Sequence, residues 1–317
     1  MSETESSDDQ SGSAIASSDH RRCGFVAILG ATNVGKSTLL NALVGVKVSI
    51  VSHKVQTTRV PIRGIALHGE SQIVFIDTPG IFNPKRRLDR AMVDAAWGGA
   101  EDADVVVLVI DAQRGVDDDA IKIIEKLKTA RMPRIVVINK VDRIEEKERL
   151  LALTKHIDGL LTFDRLFMVS ALDGTGVADL KSYLAEAVAP GPWHYAEDDV
   201  TDVPLRMLAS EVTRERIYHW LHEELPYSTT VETTSWKALK DGSARIEQTI
   251  FVERDSQKSI VLGKGGATIK KISMEARRGI EDIADHPVHL FLFVKVRENW
   301  GSDPERYREM GLPFPKS

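Results

Sequence analysis

Residues 30–37 of the chain read Gly30-Ala31-Thr32-Asn33-Val34-Gly35-Lys36-Ser37. This stretch fits the pattern G-x-x-x-x-G-K-[ST] without a gap. The apolar run 25–29 before it predicts a buried strand, and residues 37–43 after it predict a helix. In that context the glycines let several backbone N–H groups converge on phosphate oxygens at a helix N-terminus. The stretch therefore predicts a phosphate-binding loop.

Residues inside and next to this loop have the types that bind a nucleotide. We expect Lys36 to reach the β and γ phosphates and the Ser37 hydroxyl to bind Mg²⁺. Further contacts to the nucleotide are expected at Gly30, Asn33, Val34, Gly35 and Thr38. The alternative interpretation is a glycine-rich turn that binds nothing, but the full pattern between a strand and a helix favours phosphate binding.

Residues 24–188 alternate apolar strands with amphipathic helices. The predicted strands are 24–29, 62–68, 72–76, 104–110, 134–139 and 166–169, and the predicted helices are 36–43, 88–98, 117–130, 145–160 and 177–187. The strand at 105–110 is apolar at every position, so both of its faces need helices over them. Only residues 62–76 indicate an antiparallel hairpin. The pattern predicts an α/β domain with a mostly parallel sheet and helices on both faces.

A second motif, Asp77-Thr78-Pro79-Gly80, ends the third predicted strand. Ligands of open α/β sheets collect at the carboxyl ends of the strands. Asp77 is therefore expected to hold the Mg²⁺ shell, directly or through water. The Gly80 N–H is expected to meet the γ-phosphate.

Two motifs at later strand ends predict the base. Asn139-Lys140-Val141-Asp142 ends the fifth predicted strand and Ser170-Ala171 ends the sixth, and both are expected to contact the nucleotide. The Asp142 carboxylate can accept hydrogen bonds from N1–H and N2–H₂ of guanine, which adenine does not offer. A backbone N–H in Ser170-Ala171 is expected to be available for the guanine O6. The predicted nucleotide is therefore GTP or GDP.

A polar stretch between the first helix and the third strand contains Gln56-Thr57-Thr58-Arg59. A threonine here can complete the Mg²⁺ sphere when the γ-phosphate is present, which would make residues 46–60 a first switch. We predict Thr58 as this threonine, with Thr57 as the alternative. A solvated loop with β-branched residues is the other interpretation of the stretch.

Taken in order, these motifs resemble those of the translation-factor-related GTPases. Residues 33–37 and 56–59 together are similar to the Era branch of that class. The resemblance implies a P-loop GTPase domain that converts GTP to GDP and phosphate. The catalytic residues that it implies are Asn33, Lys36, Thr58, Asp77 and Gly80.

Two positions in this resemblance bear on the rate of hydrolysis. Ile81 stands where Ras-like proteins carry a catalytic glutamine, and an aliphatic side chain cannot orient a water molecule. Asn33 matches the asparagine that, in related GTPases, coordinates a potassium ion in place of an arginine finger. We therefore expect slow hydrolysis that is assisted by K⁺.

The second half of the chain has a different pattern. Residues 191–202 predict a linker between a GTP-binding domain at 22–190 and a second domain at 203–317. The second domain is predicted to contain a helix at 204–225, strands at 228–239 and 244–252, two helices around Gly263-Lys264-Gly265-Gly266, and a strand at 288–296. This order resembles an α+β, prokaryotic (type II) KH domain, in which a glycine turn clamps unpaired nucleotides.

Local charge supports nucleic-acid binding by this domain. Residues 254–278 contain seven basic side chains and two acidic ones. The RNA contacts are expected at Gly263, Lys264, Gly265, Gly266, Lys270 and Lys271. The alternatives are that the glycines only cap a helix and that the basic side chains only form a solvated face.

Composition and charge restrict the class of protein and argue against a membrane-spanning one. The formal net charge of −5 equals the charge of the first 20 residues, so the rest of the chain is about neutral. Residues 1–21 are acidic and serine-rich, which predicts a disordered tail. The longest aliphatic run, 105–110, is far shorter than the roughly 20 residues of a membrane-spanning helix. The single cysteine fits a reducing cytoplasm.

One GTPase domain followed by one KH domain resembles the Era family across residues 22–317. The resemblance implies binding to 16S rRNA near its 3′ end and a role in maturation of the small (30S) ribosomal subunit. It also implies a cytoplasmic monomer with loose peripheral contact to the inner face of the cytoplasmic membrane.

Three alternatives compete with this interpretation. One is an RNA-binding module that uses the nucleotide only to stabilise its fold. Another is a membrane-associated signalling GTPase whose C-terminal domain binds a protein or a lipid. A metabolic P-loop kinase is the weakest, because guanine selection by residues 139–142 has no purpose in it.

Overall fold

The computed structural model describes residues 20–315, without the side chain of Glu309. The predicted acidic tail, residues 1–21, lies almost entirely outside this range. No helix within the described range is both long and apolar enough to cross a membrane.

The first half of the chain forms a six-stranded sheet with helices on both faces. Its strands are β1 (Arg22–Leu29), β2 (Ile62–His68), β3 (Ser71–Asp77), β4 (Val105–Asp111), β5 (Arg134–Asn139) and β6 (Arg165–Val169). Their spatial order is β2-β3-β1-β4-β5-β6. All neighbours are parallel except β2 and β3, which form the predicted hairpin. The predicted mostly parallel sheet is confirmed.

Five helices cover this sheet and fill two separate cores. They are α1 (Lys36–Val44), α2 (Arg87–Glu101), α3 (Asp118–Leu127), α4 (Lys147–Asp158) and α5 (Val177–Ala187). Alternate residues of β4 enter opposite cores: Val105, Val107 and Val109 join one cluster, and Val106, Leu108 and Ile110 join the other. The apolar run at 105–110 is therefore buried on both faces, as its composition predicts.

The predicted linker follows the edge of this sheet. Val200 accepts a hydrogen bond of 2.9 Å from the backbone N–H of Ile65 in the edge strand β2. The Thr201 hydroxyl donates to the Arg63 carbonyl at 2.6 Å. These contacts cover backbone groups that an edge strand would otherwise expose.

The second half of the chain has the predicted order of elements and, after them, one short helix that was not predicted. They are α6 (Leu205–Trp220), β7 (Thr230–Ala238), β8 (Ala244–Val252), α7 (Asp255–Leu262), α8 (Ala267–Ala284), β9 (Val288–Val296) and α9 (Pro304–Glu309). The sheet order is β7-β8-β9, with β8 and β9 parallel. Helix α6 ends at Trp220, five residues before the end of the helix predicted over 204–225. Leu221 and Leu225 still enter the core, but from a loop. Apolar spacing does not distinguish such a loop from another helical turn.

The end of the second domain packs against the first. Trp300, Tyr307 and Leu312 are buried in the same cluster as residues of β1 and α1. The Trp300 Nε1–H also donates to the Ser228 carbonyl at 3.0 Å, within the second domain. Residues 300–312 therefore form part of the joint between the two domains.

Candidate functional site

The predicted nucleotide-binding residues meet in one cleft of about 510 Å³ at the carboxyl ends of the parallel strands. Those that line it are Asn33, Gly35, Lys36, Ser37, Thr38, Thr58, Gly80, Asn139, Lys140, Asp142 and Ala171. Gly30, Val34, Asp77 and Ser170 lie outside its lining. Residues about 140 positions apart in sequence thus share one site because parallel strands end at the same edge.

The motif that is predicted to bind the base, residues 139–142, braces the phosphate loop. Asn139 Nδ2–H donates to the Val34 carbonyl at 2.9 Å, and the Lys140 ammonium donates to the Asn33 carbonyl at 2.6 Å. Gly35 has φ of 98°, and a Cβ there would stand 2.4 Å from Asn139 Nδ2. Only glycine permits this turn together with the close approach of the asparagine.

Lys36 is buried at the base of the cleft. Its ammonium donates to the carbonyls of Gly30 at 3.1 Å and Ala31 at 2.8 Å. Burial lowers the pKa of Lys36 to about 8, although the nearby Asp77 carboxylate opposes this shift. Nucleotide phosphates would favour the charged ammonium and raise its pKa again.

This pKa predicts that GDP binding weakens above pH 8. Below pH 8 the ammonium is protonated in both the free and the bound protein. Above it the free protein loses the proton that the complex needs, so the apparent Kd should rise about tenfold between pH 7 and pH 9. Titration calorimetry with GDP at pH 7, 8 and 9 measures this rise.

The control for this experiment is Lys36→Arg, whose guanidinium stays protonated over the whole range. Its GDP affinity should change much less with pH, whatever its absolute value. The same pH dependence in both proteins would mean that another group, and not Lys36, binds the proton.

The predicted magnesium ligands form a cluster of oxygen atoms. Ser37 Oγ lies 2.7 Å from Asp77 Oδ2 and 2.9 Å from Thr58 Oγ1. Ser49, which the sequence motifs did not indicate, also donates to Asp77 Oδ2 at 2.9 Å. Burial raises the pKa of Asp77, although hydrogen bonds from Ser37, Ser49 and Thr58 and the charge of Lys36 oppose this.

This cluster fits a small divalent cation. Asp77 is fully buried, and its Oδ1 accepts no hydrogen bond from any of residues 20–315. A buried carboxylate oxygen without a donor is costly unless a cation is close to it. Hydroxyl and carboxylate oxygens are the ligands that Mg²⁺ prefers.

The two candidate switch threonines differ in position. Thr58 is buried with its hydroxyl in the oxygen cluster. The Thr57 hydroxyl instead contacts Ser52 Oγ at 2.9 Å and donates to the Lys54 carbonyl at 2.8 Å. The geometry favours Thr58 as the magnesium residue.

The base end of the cleft differs from the sequence prediction in one detail. The Ser170 N–H donates to the Thr175 carbonyl, and the Ala171 N–H donates to Asn139 Oδ1 at 3.0 Å. The prediction of an available N–H in Ser170-Ala171 is therefore wrong for this conformation. The tight turn at 170–175 uses one donor, and the asparagine that braces the phosphate loop uses the other.

Two contacts near the nucleotide cleft were not predicted. Arg114 donates to the Thr32 carbonyl at 2.6 Å, which places a guanidinium beside the phosphate loop. Asn33 Nδ2–H donates to the His53 carbonyl at 2.8 Å and so joins the loop to the segment 46–60. Arg114 has no motif signal, whereas His53 lies inside the predicted switch.

Ile81, at the position of the glutamine in Ras-like proteins, is 5% exposed and packs in the core. Its backbone N–H donates to the Gly30 carbonyl at 3.1 Å. A buried aliphatic side chain offers no hydrogen bond to a water molecule, as the sequence argument requires.

The predicted RNA-binding loop connects α7 and α8. Gly263 has φ of 72°, and a Cβ there would meet Thr268 Oγ1 at 2.3 Å, so a larger residue is excluded. Lys264 in the turn before α8 and Lys270 and Lys271 in the first turns of α8 are all exposed. The Lys271 ammonium also lies 4.8 Å from the ring centre of Trp220 in α6.

Comparison with known proteins agrees with this architecture. A family model described as "50S ribosome-binding GTPase" matches residues 25–140, and one described as "KH domain" matches residues 224–301. GTPase Era of Rhizobium meliloti (strain 1021) is 62% identical over 295 residues, which are 93% of this chain and 94% of that protein. GTPase Era of Bradyrhizobium sp. (strain ORS 278) is 63% identical over 93% of this chain and 96% of its own length.

Two solved structures extend the similarity to both domains. Era in complex with MgGDPNP and nucleotides 1506–1542 of 16S ribosomal RNA superposes with a TM-score of 0.87 and 39% identity, covering 92% of this chain and 99% of that one. A single-residue variant of Aquifex aeolicus Era bound to GDP·AlF4⁻ gives a TM-score of 0.86, also at 39% identity, with the same coverage. This chain, with its P-loop GTPase domain followed by a KH domain, therefore belongs to the Era family of GTPases.

Proposed function

We propose that this protein binds 16S rRNA near its 3′ end in its GTP-bound state and acts in maturation of the small ribosomal subunit. The observation that carries the proposal is the similarity over both domains to an Era protein that holds MgGDPNP and nucleotides 1506–1542 of 16S rRNA. The description "50S ribosome-binding" carries less weight, because that family model matches only residues 25–140. We assign RNA binding to the second domain, which lies outside those residues.

In the GTPase domain each side chain has a distinct part in the proposed reaction. Lys36 and the N–H groups of the phosphate loop bind and orient the β and γ phosphates. Mg²⁺, when bound by Ser37, Thr58 and Asp77, would neutralise charge on the phosphate oxygens. Asp142 selects guanine, and the Gly80 N–H binds the γ-phosphate.

Hydrolysis is proposed to be slow. Ile81 cannot orient the attacking water, so the position of that water molecule depends on the backbone and on residues 46–60. We propose that Asn33, next to the His53 carbonyl, holds K⁺ and thereby supplies the positive charge that an arginine finger supplies elsewhere.

The remaining parts of the proposal concern organisation. The domain bounds are proposed at 22–190 and 203–317, with the linker at 191–202. We propose a cytoplasmic monomer whose partner is the small ribosomal subunit, with peripheral contact to the inner face of the membrane as a secondary property.

RNA binding is expected to depend on the nucleotide. A single-stranded RNA that copies nucleotides 1506–1542 of 16S rRNA should bind at least tenfold more tightly to protein loaded with a non-hydrolysable GTP analogue than to protein loaded with GDP. Fluorescence anisotropy at one fixed salt concentration measures both affinities, because salt alone changes such affinities.

The alternatives predict other outcomes. Equal RNA affinity in both nucleotide states, without GTP turnover in the presence of RNA, would favour an RNA-binding module in which the nucleotide only stabilises the fold. Absence of RNA binding in both states would favour a signalling GTPase whose second domain binds a protein or a lipid.

A further inference from the structure

Arg59 belongs to the 56–59 motif but has no part in the nucleotide cleft. It is 5% exposed, and its guanidinium enters the second domain. One nitrogen donates to the Thr229 carbonyl at 2.8 Å, and another donates to the carbonyls of Pro226 and Tyr227, each at 3.3 Å. Its Cζ also lies 5.6 Å from the ring centre of Trp300. The first domain is thus anchored in the second by a side chain adjacent to Thr58.

Arg214 makes the reverse contact from α6 of the second domain. Its side chain is 2% exposed and paired with Glu211. The same guanidinium donates to the Thr57 carbonyl of the first domain. Tyr218, whose ring centre is 5.3 Å from the Arg214 Cζ, donates its hydroxyl to the Gln56 carbonyl at 3.2 Å. The second domain therefore holds the backbone immediately before Thr58.

Thr58 lies between these two anchors. Its hydroxyl is 2.9 Å from Ser37 Oγ and 3.4 Å from Asp77 Oδ2, in the oxygen cluster of the nucleotide cleft. A displacement of the peptide on either side would move this hydroxyl, because a threonine side chain is short and stiff at χ1.

We propose that Arg59 and Arg214 form an interdomain clamp that positions the Thr58 hydroxyl for the GTP-bound state and couples that state to the second domain. Both are positioning residues, since they act through the backbone around Thr58. The coupling part of this inference rests on the proposed nucleotide-dependent binding of RNA. The positioning part depends only on the GTPase domain and its Mg²⁺ requirement.

Arginine suits both positions for a chemical reason. A guanidinium has five N–H donors in a rigid plane, so one side chain can bind carbonyls of several residues at once. Lysine has a single ammonium on a flexible stem and would keep only part of these contacts. We therefore expect lysine at either position to support positioning in part, and an apolar residue to abolish it.

The same segment also offers a matched control. Lys47 pairs with Glu215 of α6 at 2.6 Å, so it too joins residues 46–60 to the second domain. Its side chain is 40% exposed and lies eleven positions before Thr58 in the sequence. A role in holding the domains together would affect Lys47→Gln and the clamp variants alike, whereas positioning of Thr58 affects only the clamp variants.

The test measures the Mg²⁺ concentration needed for half-maximal binding of a non-hydrolysable GTP analogue. We expect it to rise at least tenfold in Arg214→Met, to rise less in Arg214→Lys, and to stay at the wild-type value in Lys47→Gln. The affinity for GDP should stay within about twofold in all three, because the switch threonine contributes only when the γ-phosphate is present. Tyr218→Phe removes the hydroxyl that donates to the Gln56 carbonyl and accepts a hydrogen bond from Arg59 at 3.4 Å. It serves if Arg214→Met does not fold. It should raise the Mg²⁺ requirement by a smaller factor.

RNA affinity in the two nucleotide states gives the second readout. Arg214→Met should reduce the preference for the GTP-analogue state by at least tenfold. A wild-type Mg²⁺ requirement in folded Arg214→Met and Tyr218→Phe would overturn the clamp. Absence of RNA binding by the wild-type protein would instead overturn the proposed function and leave the Mg²⁺ result as the test of positioning.

Discussion

Replacing Asp142 with asparagine is expected to lower the affinity for GTP at least a hundredfold and to create affinity for xanthosine triphosphate. The carboxylate can accept two N–H donors of guanine, whereas an asparagine NH₂ would face those donors with another donor. Xanthine presents a carbonyl in place of the guanine NH₂, so the asparagine NH₂ can donate to it. Sites that hydrogen-bond a substrate commonly discriminate by factors of about 10⁴–10⁵ against an analogue that lacks the matching group.

The position of Asp142 makes this a clean experiment. It lies in the short 3₁₀ helix Val141–Arg143, is exposed and lines the cleft, so the substitution leaves the core unchanged. Competition of GTP, XTP and ATP against a fluorescent nucleotide gives the affinities. Glu145→Gln, an equal change of charge at an exposed residue just after that helix, should leave all three affinities as in the wild type. Unchanged GTP affinity in Asp142→Asn would remove Asp142 from the base site.

The double variant Lys264→Asp with Gly265→Asp is expected to lower the affinity for the 16S rRNA fragment at least a hundredfold. It replaces one positive charge by a negative one and adds a second negative charge where phosphates are expected to approach. Gly265 has φ of 60°, a conformation that aspartate tolerates, and a Cβ there meets no atom within 4 Å. The loop should therefore keep its shape while its charge is reversed.

Two comparisons make the result of the loop variant specific. Lys240→Asp reverses a charge at the exposed turn between β7 and β8 and should weaken RNA binding only slightly. Thermal unfolding of the double variant should match that of the wild type. Wild-type RNA affinity in the folded double variant would exclude the Gly263–Gly266 loop as the RNA contact.

Local sequence determined much of the fold and of the candidate nucleotide site. The pattern at 30–37 between a strand and a helix predicted the phosphate loop, because glycines and a lysine at that spacing have one common use. The pattern of apolar residues predicted β2, β5, α5, β8 and β9 with the same bounds as in the structure. The motifs at 77–80 and 139–142 could be assigned to one site because the ends of parallel strands share an edge. All of these signals depend on residues that are close in sequence or on a general rule of topology.

Tertiary structure alone decided the remaining features. Thr57 and Thr58 are adjacent and chemically identical, and only the folded segment places Thr58 beside Asp77. The Ala171 N–H donates to Asn139, and the Lys271 ammonium lies over the ring of Trp220 in α6. Each of these outcomes depends on contacts between elements that are distant in sequence.

The domain joint had no signal in the sequence at all. Arg214 binds the Thr57 carbonyl and Arg59 binds the Thr229 carbonyl, across sequence separations of more than 150 residues. Backbone carbonyls occur at every residue, so a sequence does not indicate which of them a buried arginine will bind. That choice follows from how two separately folded domains pack, and packing depends on the shape and burial of whole surfaces, which no short motif encodes.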